Sequence, residues 1–247
     1  MAGRNIKIGN IIKLRKKRRE PNLSFFNWHI IIDVMEVKTF TLGELQTNCS
    51  LLIDQNTNQC IIIDPADEAN FISEQILQLK VQPIAMIATH GHFDHLLAAG
   101  ELQMAFNLPF YLHQNDFFLL KNLQKNASFW LKRKIIEQPP KKISFFPNTP
   151  HFSLPIGKTK APNFEFTLIP TPGHTPGSVC LYLPKLKILF TGDTLFAQGV
   201  GRTDFSYSSA KDLWQSLQKL KKIPQTTILP GHGPASLLSE ALRKQFS

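Results

Sequence analysis

The spacing of apolar residues along the chain predicts alternating strands and helices. Apolar, β-branched runs bounded by turn formers are typical of strands, and apolar residues three or four positions apart are typical of a buried helix face. These patterns predict strands over 37–42, 49–53, 60–63, 84–88, 110–112, 164–169, 179–183, 187–190 and 226–229. They predict helices over 69–80, 94–106, 115–136 and 209–221, with a short helix at the C-terminus.

Strand-rich blocks alternate with single helices in both halves of the chain. This order favours a layered α/β fold in which helices cover the outer faces of the sheets. Four prolines break the pattern between residues 138 and 150, so this stretch is expected to form a loop. At 247 residues the chain is within the size of one compact domain.

Positive charge is concentrated at the start of the chain. The formal net charge is +10, and residues 1–34 hold eight Lys and Arg against Glu20 and Asp33, which is +6. We expect residues 1–34 to form a basic extension outside the core and residues 35–247 to form the catalytic domain. The extension could bind nucleic acid or anionic lipid or act as a mitochondrial transit peptide, or the functional chain could start at Met35.

The sequence also bears on location. No apolar run reaches the roughly 18 residues that a membrane span needs, and the apolar stretch over 25–32 is interrupted by polar residues, unlike a secretory signal. Cys49, Cys60 and Cys180 lie in apolar, strand-like runs without paired spacing, as is typical of buried reduced thiols. We therefore expect a cytoplasmic protein, with a mitochondrial location left open by the basic start.

Three imidazoles and one carboxylate fall within six residues, at the end of a predicted strand and the start of a predicted helix. They are His90, His92, Asp94 and His95. Gly91 lets the backbone turn tightly between the first two histidines. Imidazole and carboxylate are ligands that suit zinc, iron or manganese. Because packing alone does not explain such a cluster, it predicts a metal site.

Three more potential ligands follow later predicted strands, and a glycine precedes each of them. They are His174, Asp193 and His232. Strand ends with glycine-assisted turns are places where a rigid scaffold presents side chains to a shared site. We therefore expect these residues to join the first cluster. The other histidines lack such partners and are interpreted as surface or structural residues: His29, His113 and His151.

The His-x-His-x-Asp-His cluster, followed by His, Asp and His after strands, resembles the metallo-β-lactamase superfamily over residues 35–247. Within it, further segments resemble the glyoxalase II-like (hydroxyacylglutathione) hydrolases, which cleave thioesters such as S-lactoylglutathione. These segments are Thr47-Asn48-Cys49, Ile63-Asp64-Pro65, 172–177, 192–196, 201–205 and 230–234.

The resemblance implies an α/β fold, an αββα sandwich of two mixed β-sheets flanked by helices, with two divalent metal ions at one edge. It implies that one metal is held by His90, His92 and His174, that the other is held by Asp94, His95 and His232, and that Asp193 bridges the two. A bridging hydroxide, oriented by Asp94 as catalytic residue, would attack the thioester carbonyl. Zinc is the expected metal, with iron or manganese left open. Arg202 matches a position where those enzymes place a basic residue, which implies a role in binding substrate.

The chain departs from the family pattern in three places. Full-length glyoxalase II enzymes have a helical C-terminal region that grips glutathione, whereas 15 residues follow His232 here. The Tyr that usually comes soon after the last histidine is absent, since Gly233-Pro234-Ala235 stands there. Ala66 replaces the glycine usual after Asp64-Pro65. These differences leave the thiol carrier open.

Thioester hydrolysis is the leading prediction, because a thiol with a pKa near 8.5 leaves as thiolate without much help. An amide needs a proton donor for its nitrogen, so β-lactam hydrolysis is less favoured. One alternative is a mono-iron persulfide dioxygenase, whose iron ligands match His90, His174 and Asp193. Another is a nucleic-acid-processing member of the superfamily, although the core shows no basic stripe interleaved with aromatics. The expected partner is a small-molecule thioester, which could be glutathione-linked, and neither a membrane nor nucleic acid.

Overall fold

Two β-sheets pack against each other between layers of helices in the computed structural model, which describes residues 15–17, 27–32, 34–154 and 164–246. The first sheet has eight strands in the order β1 to β8, and the second has six in the order β14, β13, β12, β11, β10, β9. Both sheets mix parallel and antiparallel pairs. This confirms the predicted αββα sandwich of two mixed sheets flanked by helices.

The first sheet is antiparallel from β1 to β5 and parallel from β5 to β8. Its strands are β1 (Arg15–Lys17), β2 (Asn27–Ile32), β3 (Met35–Leu42), β4 (Thr47–Asp54), β5 (Gln59–Ile63), β6 (Gln82–Ile87), β7 (Phe110–Leu112) and β8 (Ile143–Phe145). The strands predicted over 49–53 and 60–63 lie within β4 and β5, which pair antiparallel as a hairpin.

The second sheet is antiparallel except where β12 runs parallel to β13. Its strands are β9 (His151–Ser153), β10 (Glu165–Pro170), β11 (Val179–Leu183), β12 (Ile188–Gly192), β13 (Thr227–Pro230) and β14 (Ser236–Leu237). The helices are α1 (Ala69–Leu79), α2 (Ala99–Phe106), α3 (Phe117–Lys121), α4 (Leu123–Leu131), α5 (Ala210–Leu220) and α6 (Leu238–Phe246), with 3₁₀ turns at Phe93–His95 and Gln114–Asp116.

Three apolar clusters hold these layers together. One joins the first sheet to α1 and α2, one fills the space between the two sheets, and one joins the second sheet to α5 and α6. In β4, Leu51 and Ile53 belong to the helix-facing cluster and Leu52 to the cluster between the sheets, because successive strand side chains point to opposite faces. Burial on both faces explains why three consecutive residues of this strand, from Leu51 to Ile53, are apolar.

The expected helix over 94–106 is shorter than its pattern predicts. The chain forms a 3₁₀ turn over Phe93–His95 and becomes α-helical only at Ala99. The reason is a long-range pairing: the carbonyl of His95 accepts the N–H of Ala66 at 2.9 Å, and the carbonyl of Ala66 accepts the N–H of Ala98 at 2.9 Å. A carbonyl committed to another segment does not continue the helical ladder. The expected helix over 115–136 is likewise divided, into α3 and α4.

The expected loop over 138–150 contains a strand. Residues 143–145 form β8, which pairs parallel with β7. The side-chain oxygen of Gln103 in α2 accepts the N–H groups of Lys141 and Lys142 at 2.7 and 3.0 Å. These hydrogen bonds hold the two residues that directly precede β8. The local proline-rich pattern does not indicate this contact with α2.

Part of the segment 1–34 contributes to the first sheet. β2 pairs with β3 from Trp28 opposite Thr39 to Ile32 opposite Met35, and Ile30 is 1% exposed within the cluster between the sheets. Ile30 therefore adds an apolar side chain to that cluster. Most other residues of this segment lie outside the described residues, and the domain boundary stays a prediction.

Two further expectations concern location. All three cysteines are free and buried, as predicted. Among the residues that the structure describes, no helix combines the length and the apolar character that crossing a bilayer requires.

Candidate metal centre

The seven side chains predicted to bind metal converge at one edge of the sandwich. His90 and His92 lie in the loop after β6, and Asp94 and His95 in the following 3₁₀ turn. The other three follow strands of the second sheet: His174 comes after β10, Asp193 directly after β12, and His232 after β13. Residues as far as 138 positions apart in sequence, such as Asp94 and His232, thus share one site.

Their potential metal-ligand atoms form groups of three, and within each group all the atoms lie within 4.8 Å of one another. One group is His90, His92 and His174, with His92 Nδ1 2.9 Å from His174 Nε2. A second group is Asp94, His95 and His232. In this second group, Asp94 Oδ2 lies 3.2 Å from His232 Nε2 and 3.6 Å from His95 Nε2.

Asp193 lies between these two groups. Its Oδ1 atom is 3.4 Å from His95 Nε2, and its Oδ2 atom is 3.5 Å from His174 Nε2 and 3.6 Å from His232 Nε2. One carboxylate therefore faces donors of both groups, which is the geometry that a bridging ligand needs.

Backbone carbonyls fix the proton position on two of the imidazoles. His174 Nδ1 lies 2.8 Å from the Arg202 carbonyl oxygen, and His232 Nδ1 lies 3.2 Å from that of Gln46. A carbonyl oxygen only accepts, so each Nδ1 must donate. In the neutral ring this leaves the Nε2 lone pair pointing into the site, as in metal-binding histidines held by an outer hydrogen bond.

Side chains orient the other three imidazoles. Asp64 accepts hydrogen bonds at 2.7 Å from both the backbone N–H and the hydroxyl of Thr89, and its Oδ2 atom lies 3.1 Å from His95 Nδ1. The hydroxyl of Thr89 is in turn 3.1 Å from His90 Nδ1. His92 is turned the other way, with its Nε2 atom 2.9 Å from the Tyr207 hydroxyl and its Nδ1 atom toward His174.

Three potential metal-ligand atoms at the centre are buried without a hydrogen-bond partner among the described residues. They are His90 Nε2, His95 Nε2 and Asp193 Oδ1. Buried polar atoms are almost always paired, and an unpaired one calls for a specific explanation. A bound metal ion provides it, because each of these atoms is a metal-ligand type and each belongs to one of the clustered groups. The residues present therefore fit a centre for two metal ions.

Charge supports the same interpretation. Burial and the neighbouring His95 hold the pKa of His90 well below its ordinary value, and burial together with His174 lowers the pKa of His92 to about 3. Both rings are therefore neutral, which is the form that binds metal. Burial opposes ionisation of Asp94 and Asp193, but the nearby His95 and His232 outweigh it and lower the pKa of both carboxyls.

Two other imidazoles, His95 and His232, behave in the opposite way. Burial disfavours the charged form of His95, but Asp94 and the other carboxylates around it raise its pKa well above the ordinary value. The pKa of His232 is also raised, since the hydrogen bond to Asp94 outweighs burial. Positive charge is thus favoured between these carboxylates, and a metal cation would supply it while displacing the protons.

Asp116 supports the centre, and no local sequence pattern points to it. It is fully buried at the start of α3, where its Oδ2 atom accepts the N–H of Gly91 at 2.8 Å and the hydroxyl of Thr175 at 2.6 Å, and its Oδ1 atom accepts the N–H of Gly177 at 2.6 Å. Gly91 separates His90 from His92, and Thr175 follows His174. One carboxylate therefore connects two ligand-bearing loops.

Both glycines in those loops are needed for this contact. A Cβ atom on Gly91 would lie 2.8 Å from the Asp116 Cβ atom, and one on Gly177 would lie 2.6 Å from its Cγ atom. These distances are too short for non-bonded carbon atoms. The glycines thus let the two loops approach Asp116 closely enough to hydrogen-bond.

The centre opens into a cleft of about 610 Å³. Arg202, predicted to bind substrate, lines it with an exposed side chain, and its guanidinium makes two hydrogen bonds of 2.6 Å to Asp204. The guanidinium also lies over the ring of Phe205, 4.6 Å from its centroid. Tyr207 and Trp130 line the same cleft, and neither was indicated by the spacing of the sequence motifs.

Comparison with known proteins agrees with this geometry. The family model described as "Metallo-beta-lactamase superfamily" matches residues 42–232. The probable metallo-hydrolase YqgX of Bacillus subtilis (strain 168) is 33% identical over 215 residues, which are 86% of this chain and 97% of the relative. The hydroxyacylglutathione hydrolase GloC of Haemophilus influenzae is 32% identical over 214 residues, which are 85% of this chain and 96% of the relative.

Two solved structures are similar over most of the chain. The BLEG-1 B3 metallo-β-lactamase has a TM-score of 0.74 and 29% identity, covering 84% of this chain and 96% of its own. The protein TTHA1623, solved in a di-iron-bound form, has a TM-score of 0.71 and 34% identity, covering 83% of this chain and 96% of its own. By its fold, its clustered metal donors and its sequence, the chain belongs to the metallo-β-lactamase superfamily.

Proposed function

We propose that this protein is a metal-dependent hydrolase of thioesters such as S-lactoylglutathione. The observation that carries the proposal is the position of Asp193, whose two carboxylate oxygens face both groups of donor atoms. A mono-iron dioxygenase needs only three ligands, matching His90, His174 and Asp193, and leaves unexplained why Asp94, His95 and His232 also cluster. The second group favours two metals and hydrolysis.

The proposed ligands are those implied by the family resemblance. His90, His92 and His174 would hold one ion, Asp94, His95 and His232 the other, and Asp193 both. When bound, two divalent ions supply an acidified water near neutral pH and a polarised carbonyl. Zinc is the proposed metal. The di-iron form of TTHA1623 makes iron the first alternative to test, followed by manganese.

Asp94 is the proposed catalytic residue. Its Oδ2 atom accepts the hydroxyl hydrogen of Thr47 at 2.9 Å, which fixes the carboxylate in the site. Because the surrounding histidines hold Asp94 in its charged form, it is able to orient the attacking water by accepting a hydrogen bond from it. Thr47 is held in turn by its bridge to His232, so Asp94 and His232 share one support.

The leaving group favours a thioester over an amide. Water adds to the carbonyl carbon, the carbon–sulfur bond breaks, and sulfur keeps the electron pair as a thiolate, which needs no strong acid. An amide nitrogen must be protonated as it leaves. Among the described residues that line the cleft, Tyr207 carries the hydroxyl group that an amide would need as proton donor. It is poorly suited to that role, because burial raises its pKa to about 12 and its hydroxyl is already hydrogen-bonded to His92.

The named relatives support the same chemistry. GloC of Haemophilus influenzae is described as a hydroxyacylglutathione hydrolase, and it matches over 85% of this chain. We infer in addition that the protein acts in the cytoplasm, because its three cysteines are free and buried, as expected in a reducing compartment.

The test is metal content measured together with turnover. The purified protein should contain two metal equivalents, hydrolyse S-lactoylglutathione, lose activity with a chelator and regain it with zinc, iron or manganese. A protein with one iron that consumes oxygen with glutathione persulfide, and leaves thioesters intact, would show that the dioxygenase alternative is right. Hydrolysis of a chromogenic β-lactam without thioester hydrolysis would also overturn the proposal.

A further inference from the structure

The cleft above the metal centre differs in chemistry between its two ends. At the His92 end, the ring of Phe205 lies 5.2 Å from that of His92 and stacks on Tyr207 at 5.3 Å. Arg202 and Trp130 complete this end, with the guanidinium 5.5 Å from the Trp130 ring centroid. Asn126, one helical turn before Trp130 in α4, adds an amide. This end, the Trp130 wall, therefore offers both aromatic surface and polar groups.

Apart from the proposed metal ligands, the His232 end is apolar. The ring of Phe196 lies 6.1 Å from that of His232, and the contact between Gln46 and His232 brings the adjacent Leu45 to the same end. Leu45 is 45% exposed despite its apolar side chain. The bridge between Phe196 and Gly199 brings the adjacent, half-buried Val200 to the same end of the cleft lining. These three residues, Leu45, Phe196 and Val200, form the Phe196 wall.

A substrate hydroxyl would find little to bind at the Phe196 wall. The polar side chains of the described cleft lining at this end are Asp94, Asp193 and His232, which the proposed function already uses as metal ligands. A hydroxyl placed there would lose its hydrogen bonds to water, and no neutral polar side chain of the described lining at this end would replace them. An alkyl or aryl group placed there would bury apolar surface of its own and of an exposed leucine.

We propose that the Phe196 wall binds the acyl group, and that the enzyme prefers thioesters of unsubstituted alkyl or aryl acids to those of 2-hydroxy acids. The Trp130 wall, with Arg202 and Asn126, then receives the thiol carrier. This assignment rests on the proposed thioester hydrolysis and names its substrate class. Each methylene buried against the wall raises kcat/KM by up to about fourfold.

The test is a series of glutathione thioesters that share one carrier. Acetyl, propanoyl, butanoyl and hexanoyl thioesters vary only the chain length, and propanoyl and lactoyl thioesters differ by one hydroxyl. Each kcat/KM should be divided by the rate of hydroxide-catalysed hydrolysis of the same thioester, because the hydroxyl also activates the carbonyl. The corrected values should rise from acetyl to hexanoyl, and propanoyl should exceed lactoyl by threefold or more.

Matched variants at the two walls locate the effect. Phe196→Ala should reduce the ratio of hexanoyl to acetyl kcat/KM severalfold, and Phe196→Leu should restore most of it. Trp130→Ala, which removes an aromatic ring of the other wall, should leave this ratio within twofold while raising KM for the whole series. Stabilisation of the metal-loaded protein by the free acids needs no turnover and should follow the same order, with hexanoate above acetate.

The outcomes separate the two proposals. Thioester hydrolysis with a flat series, with lactoyl above propanoyl, or with a ratio that responds to Trp130→Ala and not to Phe196→Ala would overturn the acyl-group assignment alone. Absence of hydrolysis for every thioester by the metal-loaded protein would overturn the proposed function and this assignment with it.

Discussion

The Asp116 carboxylate accepts the backbone N–H of Gly91 at 2.8 Å, which joins α3 to the loop that carries His90 and His92. The same side chain accepts the N–H of Gly177 at 2.6 Å, in the loop that follows His174. The three histidines of one proposed metal group therefore depend on a residue that contacts none of their rings. Asp116 is a positioning residue, and its effect should be seen in metal affinity before it is seen in chemistry.

We expect Asp116→Asn to weaken metal binding by about 10- to 100-fold, the usual range for outer groups that orient ligands. The amide nitrogen of Asn would replace a carboxylate oxygen that accepts an N–H or O–H group. That buried donor would lose its acceptor, which costs about 1–3 kcal/mol of stability. Titration against a competing chelator measures the affinity, and the kcat should recover at saturating metal. Glu101→Gln, on an exposed residue of α2, is the control; an unchanged affinity beside a lowered Tm would show that Asp116 stabilises only the fold.

We expect Asp94→Asn to reduce kcat by about 100-fold or more, since the change removes charge from a proposed metal ligand that also orients water. The side chain keeps its shape, and its contact with Thr47 is retained through the amide oxygen. Metal stoichiometry, Tm and kcat at saturating metal should be compared with the unchanged protein. A residue that only favoured the helix start would cost about 1 kcal/mol of stability, so normal turnover with a lower Tm would contradict the catalytic assignment.

We expect Arg202→Ala to raise KM for an anionic thioester more than it lowers kcat, because uniform loss of binding has that signature. Its exposed pairing with Asp204 should matter little for stability. Asp204→Ala is the matched comparison, since it removes the pair and leaves the guanidinium free for the substrate. KM should then fall or stay constant. Equal increases in KM for the two variants would show that only the Arg202–Asp204 pair matters.

We expect a protein beginning at Met35 to keep its hydrolytic rate, because all seven proposed ligands come later in the chain. It should nevertheless be less stable than one beginning at Leu23. The shorter protein lacks β2, which exposes the edge of β3, and it loses the burial of Ile30, worth about 1.5–3 kcal/mol. Thermal melts and kcat of the two proteins measure the difference. Loss of activity at low temperature would place β2 within the minimal catalytic domain.

The sequence by itself determined the strands and helices whose signals are local. The hairpin of β4 and β5 follows from two apolar runs around a polar turn, and α1 from the spacing of Ile72 and Ile76. The proposed ligands were also predictable, because the segment from His90 to His95 holds three imidazoles and a carboxylate that core packing does not require. Their later partners stand after glycines at strand ends, so the same strand pattern indicates that they meet.

Only the tertiary structure decided the features that depend on distant partners. The helix predicted from residue 94 begins later because the carbonyl of His95 bonds to Ala66, and β8 forms in a proline-rich stretch that Gln103 holds in place. Asp116 has no motif, since its three donors come from loops that meet only in the folded chain. Periodicity records which face of a segment is buried, but a hydrogen bond between segments leaves no periodic signal, so its consequences appear only once the chain has folded.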